Sequence, residues 1–268
     1  TLTFTANGHD YTVEGLTAFA SATDFVVDLP VNVEGEAIVR DADGNDVTAQ
    51  FNITTKNGTL NITKRPASIT SANASKEYDG KPLTNHTTTI FGFVEGEGAF
   101  VSVTGSQTLV GTSDNTFTYT LKDGTKAENY DITTEFGKLT VTNRSDKDKY
   151  QITLEPNSDS KMYDGTDLTV SGFKTLTFFV DGNTYTVSGL TAKRSGTNFT
   201  DSGFVTVTGT PTVTNADGAD VTEQFVVSTT SGILNIKPRK VDITSLSADK
   251  EYDGTPLTRR SATETPFN

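Results

Sequence analysis

The sequence predicts an all-β protein built from tandem small β-sandwich modules with immunoglobulin-like packing, arranged as a rod. Short runs of alternating apolar and polar residues, rich in Val, Ile, Thr, Tyr and Phe, are separated by Asn-Gly and Asp-Gly turns. One motif occurs three times: Lys76-Glu77-Tyr78-Asp79-Gly80-Lys81-Pro82-Leu83-Thr84, then Lys161-Met162-Tyr163-Asp164-Gly165-Thr166-Asp167-Leu168-Thr169, then Lys250-Glu251-Tyr252-Asp253-Gly254-Thr255-Pro256-Leu257-Thr258. Its tyrosines are 85 and 89 residues apart (163 − 78 and 252 − 163), which suits whole small domains better than a solenoid of shorter repeats. A β-grasp-like module is the alternative fold. It ranks second because no convincing helix is found for it.

Residues 1–65 open on a hairpin, with Leu2, Phe4, Tyr11 and Val13 alternating around Asn7-Gly8. Residues 16–24 contain alanines, but their later counterpart 190–198 is loop-like, so both are read as non-helical. Strands are expected at 25–28, 31–39, 47–54 and 59–63, with turns at Asp43-Gly44 and Asn57-Gly58. Residues 175–239 repeat this block at an offset of 174 (176 − 2): Leu2-Thr3-Phe4 returns as Leu176-Thr177-Phe178, and Asp46-Val47-Thr48 as Asp220-Val221-Thr222. The middle module shares the ending of these blocks, at Asn129-Tyr130 and Gly137-Lys138-Leu139-Thr140-Val141. Its own strands are expected near 101–104 and 116–121, with Phe91, Phe93 and Phe100 in its core.

Basic, Pro-containing joints at Lys64-Arg65-Pro66 and Lys237-Pro238-Arg239-Lys240, and a charged joint at 142–149, set the boundaries. They divide the chain into an incomplete module 1–65, complete modules 66–144 and 145–239, and the start of a further module at 240–268. The chain opens without Met or a leader and closes without an anchor, so it reads as a piece of a longer protein. The incomplete ends are expected either to fray, the preferred reading, or to lend a strand to an open edge of another molecule.

Composition excludes several function classes. With 22 Lys+Arg against 34 Asp+Glu the net charge is −12, which opposes binding to nucleic acid or to anionic membranes. The absence of Cys removes disulfides, thiolate nucleophiles and Cys-zinc sites, and a Cys-free, Thr-rich, acidic β chain fits an extracellular bacterial protein. No apolar run is long enough to span a membrane. Intramolecular Lys–Asn isopeptide bonds would suit such a chain and would show as a loss of ammonia in intact mass.

The Lys-x-Tyr-Asp-Gly-x-x-Leu-Thr openings resemble the YDG and MBG-type repeats of secreted or wall-attached surface proteins of gut Gram-positive bacteria. So do Val103-Thr104-Gly105-Ser106-Gln107-Thr108, Ser113-Asp114-Asn115-Thr116 and the Asn129-Tyr130 to Val141 ending. The resemblance covers nearly the whole chain. It implies tandem β modules on a bacterial surface, secreted or wall-bound. Some proteins of this kind act as superantigen-like binders of immunoglobulin variable regions. Binding to a host protein, with immunoglobulin as the specific partner, is therefore the first expected function. Adhesion to mucin or other glycans, and a passive stalk that spaces a distal domain from the wall, are the alternatives.

An enzyme is not expected, and neither is a cofactor or a bound metal. His9 and His86 do not recur between copies and lack partners at zinc or catalytic spacing, so they read as exposed loop residues. Asp41-Ala42-Asp43-Gly44-Asn45-Asp46 and its echo at 215–220 begin like a calcium loop. Position twelve is Asn52 or Val226 where a bidentate Glu is needed, so both read as polar turns. Glu95-Gly96-Glu97-Gly98 reads as a solvated loop rather than a rigid glycosidase pair. The candidate ligand-binding residue is Phe179. Alternation turns Leu176, Phe178 and Val180 to one face and leaves Phe179 on the other, where the first copy has Thr5; cover by a neighbouring loop or the next module is the preferred reading and a ligand contact the alternative.

Overall fold

A computed structural model gives the fold and describes residues 2–258 and 262–266, so the expected module 240–268 lies partly outside the described residues. The chain is all-β, with 55% of residues in strands, multiple sheets consistent with a sandwich-type fold, and no α-helix among the described residues.

In the first repeat, β1 (Leu2–Ala6), β2 (His9–Phe19), β3 (Val26–Arg40) and β4 (Gly58–Ile62) form one antiparallel sheet in that order. Asn7 (φ 47°) and Gly8 (φ 81°) close the predicted hairpin with Ala6 opposite His9, which is the left-handed pair that a two-residue turn requires. The alanine-bearing stretch from Leu16 continues β2 rather than forming a helix. The two strands expected at 25–28 and 31–39 are one strand, β3, bent where Asp28 takes φ 55°.

The strand expected at 47–54 is absent. The Asp46 carboxylate accepts the Thr48 amide at 3.0 Å and its hydroxyl at 2.6 Å, which starts a 3-10 turn over Thr48–Gln50. Residues 51–57 then run on without a strand ladder.

The second repeat holds β5 (Arg65–Ser71), β6 (Ala74–Glu77), β7 (Thr88–Phe91), β8 (Ala99–Val103), β9 (Gly111–Asn115), β10 (Phe117–Leu121), β11 (Tyr130–Glu135) and β12 (Gly137–Thr142). β5 lies between β11, to which it is parallel, and β7, to which it is antiparallel. β8 pairs with β10, and β12 sits between β6 and β9. Ile69, Ala99 and Phe117 form the core, with Phe93, Val101, Leu121 and Ile132 packed on it.

Phe93 is thus in the expected place, but Phe91 and Phe100 are 75% and 65% exposed. The strand period decides this. Phe91 stands opposite Ser68 on the outward face of β5–β7, and Phe100 alternates with the buried Ala99 and half-buried Val101. Buried Asn115 donates its side-chain amide to the Ala72 and Asn85 carbonyls at 2.9 and 2.8 Å, tying two loops to the β9 end.

The third repeat holds β13 (Tyr150–Leu154), β14 (Asp159–Met162), β15 (Leu168–Ser171), β16 (Thr177–Val180), β17 (Asn183–Gly196), β18 (Gly203–Phe204), β19 (Thr206–Asn215), β20 (Phe225–Thr229) and β21 (Ile233–Lys237). β13 pairs in parallel with β20, and β14 in parallel with β21. β17 carries β15, β16 and β19, all antiparallel. Val170, Ala192, Val205, Leu234 and Ile236 form its core. Beyond it, β22 (Val241–Ser245) and β23 (Ala262–Pro266) make an antiparallel pair.

Contact density divides the chain into two compact units. One runs to Ser75 and adds Pro82–Gln107 and Gly111–Thr140; the other takes Lys76–Lys81, Thr108–Val110 and the chain from Val141 onward. The first Tyr-Asp-Gly turn, which opens the second repeat in sequence, therefore belongs to the same compact unit as the third repeat.

Candidate functional site

The Tyr-Asp-Gly motif is a clasp. In each copy the lysine reaches the aspartate three residues on, at 2.6 Å (Lys76–Asp79), 2.8 Å (Lys161–Asp164) and 2.7 Å (Lys250–Asp253). The same carboxylate accepts the amide two residues further on, from Lys81, Thr166 or Thr255, at 2.9, 2.9 and 3.0 Å. The glycine between them holds φ of 73°, 79° and 76°. An Asp-Gly turn closed by its own lysine needs no Pro, which explains why Asp167 can replace it in the second copy. The lysine's part was legible from the invariant Lys-x-x-Asp spacing but is missed when the motif is read only as turn chemistry.

Hydrogen bonds from Lys250, from the Thr255 hydroxyl and from the Thr255 amide hold the Asp253 carboxyl down at about 2. Asp164 is lowered in the same way, with Lys161 the chief cause. At Asp79 burial pushes the carboxyl up, but Lys76 and the Lys81 amide outweigh it and the net shift is downward.

Only the first clasp is packed. Tyr78 is 1% exposed, while Tyr163 and Tyr252 are 41% and 98% exposed. Tyr78 meets Tyr185 of the third repeat, Asn183 of that repeat donates its side-chain amide to the Asp79 carbonyl at 3.3 Å, and Arg144, at the end of the second, donates to the Tyr78 carbonyl at 3.0 Å. Arg144 also lies over the Tyr150 ring at 4.1 Å, and the Tyr150 hydroxyl donates to Asp181 at 2.7 Å. Burial, followed by the hydrogen bond with Tyr185, pushes the Tyr78 phenol up. Burial and Asp181 push that of Tyr150 up to about 12. These groups are engaged with one another, and the arrangement is a joint between repeats.

Phe179 stands on a different surface. It is 76% exposed on β16, opposite Thr184 of β17. The register puts Thr177 opposite Thr186, Thr186 opposite Thr214 of β19, and Ser188 opposite Thr212. Directly opposed residues share a face, so Phe179 borders a patch of hydroxyl groups with no charge at these positions on three strands, and the first exposed charge along β17 is Lys193, past the bulge. The corresponding positions in the first repeat, 174 residues earlier, are Thr3, Thr5, Asp10, Thr12, Glu14, Ile38 and Arg40. There Thr5 donates to Asp10 at 2.6 Å and Arg40 pairs with Glu14 at 3.0 Å. Four inward positions are identical in both copies: Phe4 and Phe178, Tyr11 and Tyr185, Val13 and Val187, Val39 and Val213. One scaffold thus carries two different outer faces. The threonines beside Phe179 are missed by sequence reading, although the register of the Asp181-Gly182 hairpin would have located them.

The other candidates fall to structural roles. His9 and His86 are exposed. The Asp41 carboxylate accepts the Asp43 and Asn45 amides at 3.0 and 2.8 Å and the Asn45 side chain at 3.0 Å, so its lone pairs serve the turn itself. Asn215 does the same with the Asp217 and Ala219 amides, which a neutral acceptor manages equally well. Glu97 accepts the Tyr130 hydroxyl at 2.5 Å and is half-buried, so it is a fixed acceptor rather than part of a solvated loop. It lines a cavity of about 290 Å³ with Asp24, whose carboxylate is taken by Lys126 at 2.6 Å and Asn129 at 2.9 Å. Among the described residues no cluster of three or more His, Asp or Glu is placed to hold a metal ion. No family model, curated protein or solved structure matches this chain.

Proposed function

We propose that the chain is a non-enzymatic stretch of a bacterial cell-surface or secreted protein that engages a host protein, with immunoglobulin variable regions as the specific candidate. The observation that carries this reading is an uncharged patch on the third repeat's outer face, Phe179 with Thr177, Thr184, Thr186, Ser188, Thr212 and Thr214, on a chain of net charge −12. Charge removed from one copy of a duplicated surface, with a large aromatic added at its border, is the composition of a protein contact: few charges at the centre and an aromatic anchor. A β face also matches the open sheets of another β protein without needing a deep pocket. A sugar site would call for a platform of several aromatics, and this face has one.

The test is a biosensor titration of the chain against polyclonal Fab, with mucin in a parallel channel. Saturable Fab binding that falls at least about tenfold for Phe179→Asp and Thr186→Glu supports the proposal. A flat Fab channel overturns the immunoglobulin reading, and Fab binding untouched by both variants overturns the assigned face. A response from mucin alone points to the adhesin.

A further inference from the structure

We propose that the protein contact made by the Phe179 face extends past β19 into a groove that takes a Lys or Arg side chain of the partner, its aliphatic stem on Leu109 and Val110 and its charge beside Asp220 and Glu223. The inference rests on the reading of that face as a contact surface and adds what the partner must carry next to it. Strand pairing carries the face onward. Thr177 lies opposite Thr186, Thr186 opposite Thr214, and Thr214 opposite Asp220, so one row runs from the uncharged patch to a carboxylate. Asp220 also lines a groove of about 450 Å³, together with Leu109, Val110, Asn143, Val221 and Glu223. All six residues belong to one compact unit. Leu109 and Val110 are 39% and 42% exposed, and Glu223 is exposed as well.

The first repeat shows how such an aspartate is balanced from within. There the same row reads Thr3, Thr12, Arg40 and Asp46, so the aspartate has a cation of its own chain opposite it. The Thr48 hydroxyl and amide hold the Asp46 carboxyl down, and Arg40 adds to this. In the third repeat, 174 residues on, the aspartate is kept as Asp220, but Thr214 stands in place of Arg40 and Glu223 in place of Ala49. One cation is lost and one carboxylate gained at a single place. The Asp220 carboxyl is held down by Thr222, with no cation adding to it. Among the described residues neither Asp220 nor Glu223 enters an ion pair. Arg144, which follows Asn143, is engaged with the Tyr78 and Asp148 carbonyls and with Tyr150. The compensating cation must then come from outside. Carboxylates beside exposed aliphatic side chains match Lys or Arg, whose stem covers apolar surface while its head carries the charge.

The experiment is the polyclonal Fab titration of the intact chain, run from about 20 to about 500 mM NaCl, with Glu223→Lys, the isosteric Glu223→Gln and Phe179→Asp. At low salt Glu223→Lys should weaken Fab binding at least about tenfold and Glu223→Gln by a smaller factor. At high salt, where exposed charges are screened, both losses should shrink toward nothing. Fab binding that falls with Phe179→Asp but is untouched by both Glu223 variants overturns this inference and leaves the face assigned. A loss from the Glu223 variants that is the same at every salt concentration also overturns it, because that reports a structural role for Glu223. A flat Fab channel, or binding indifferent to Phe179→Asp, overturns the reading of the face and this inference with it.

Discussion

Gly80, Gly165 and Gly254 adopt the same left-handed backbone, yet their surroundings differ. A methyl group at Gly165 or Gly254 meets nothing within 4 Å, whereas at Gly80 it would lie 2.6 Å from both the Asn183 amide nitrogen and the Tyr185 hydroxyl. Gly165→Ala should therefore cost only the left-handed penalty, roughly 1 kcal/mol. Gly80→Ala should cost about 3 kcal/mol, because it adds a steric clash inside a packed joint. Equilibrium denaturation of the two variants checks this, and equal losses would refute it. The clasp aspartates make a pH prediction at the same scale. Their folded-state carboxyls lie below the ordinary 3.8, with Asp253 at about 2. The stability they contribute is thus present above pH 3.8 and is lost as pH falls through that lower value. Carboxyl NMR titration should find Asp253 low in the intact chain and returned toward 3.8 in Lys250→Met.

At the scale of the element, one motif does two jobs according to what lies beside it. Tyr78 is buried against Tyr150 and Tyr185, while Tyr252 is open to solvent. Tyr78→Ala should cost about 3–5 kcal/mol and Tyr252→Ala close to nothing, although the sequence around them is nearly the same. Denaturant midpoints of the two variants decide it. The joint also sets an alkaline limit. The Tyr150 phenol is raised from 10.0 to about 12, so its contribution is complete below pH 10 and is lost as pH rises toward 12. Ultraviolet titration of the phenolates should show late-titrating tyrosines whose ionisation coincides with loss of β-sheet signal. Simultaneous titration of all tyrosines near pH 10, with structure intact, would refute the assignment.

At the scale of the whole molecule, stability should not depend on a metal. The turns that begin like calcium loops spend their acceptors on their own amides. Millimolar calcium or a chelator should leave Tm unchanged to within about 1 °C, and a calcium-dependent rise of several degrees would overturn this reading. Much of the fold was legible without coordinates. Alternation located the hairpin at Asn7-Gly8 and put Phe179 outward, and the repeat offsets equated residues that prove to share backbone conformation, such as Asn7 with Asp181 (φ 47° and 49°). Less was legible of the site, because Thr184, Thr186, Ser188, Thr212 and Thr214 become one surface only through pairing across strands. What the sequence alone determined was local and periodic: strand faces, turn residues, and the number and spacing of the clasps. Only the tertiary structure decided which copy of a repeated residue is buried. Tyr78 and Tyr252 have the same neighbours in the chain, but burial depends on what packs against them, which no local pattern encodes. The same holds for residues 51–54, part of the strand expected at 47–54 but unformed here, because a strand exists only where another lies beside it to complete its hydrogen bonds.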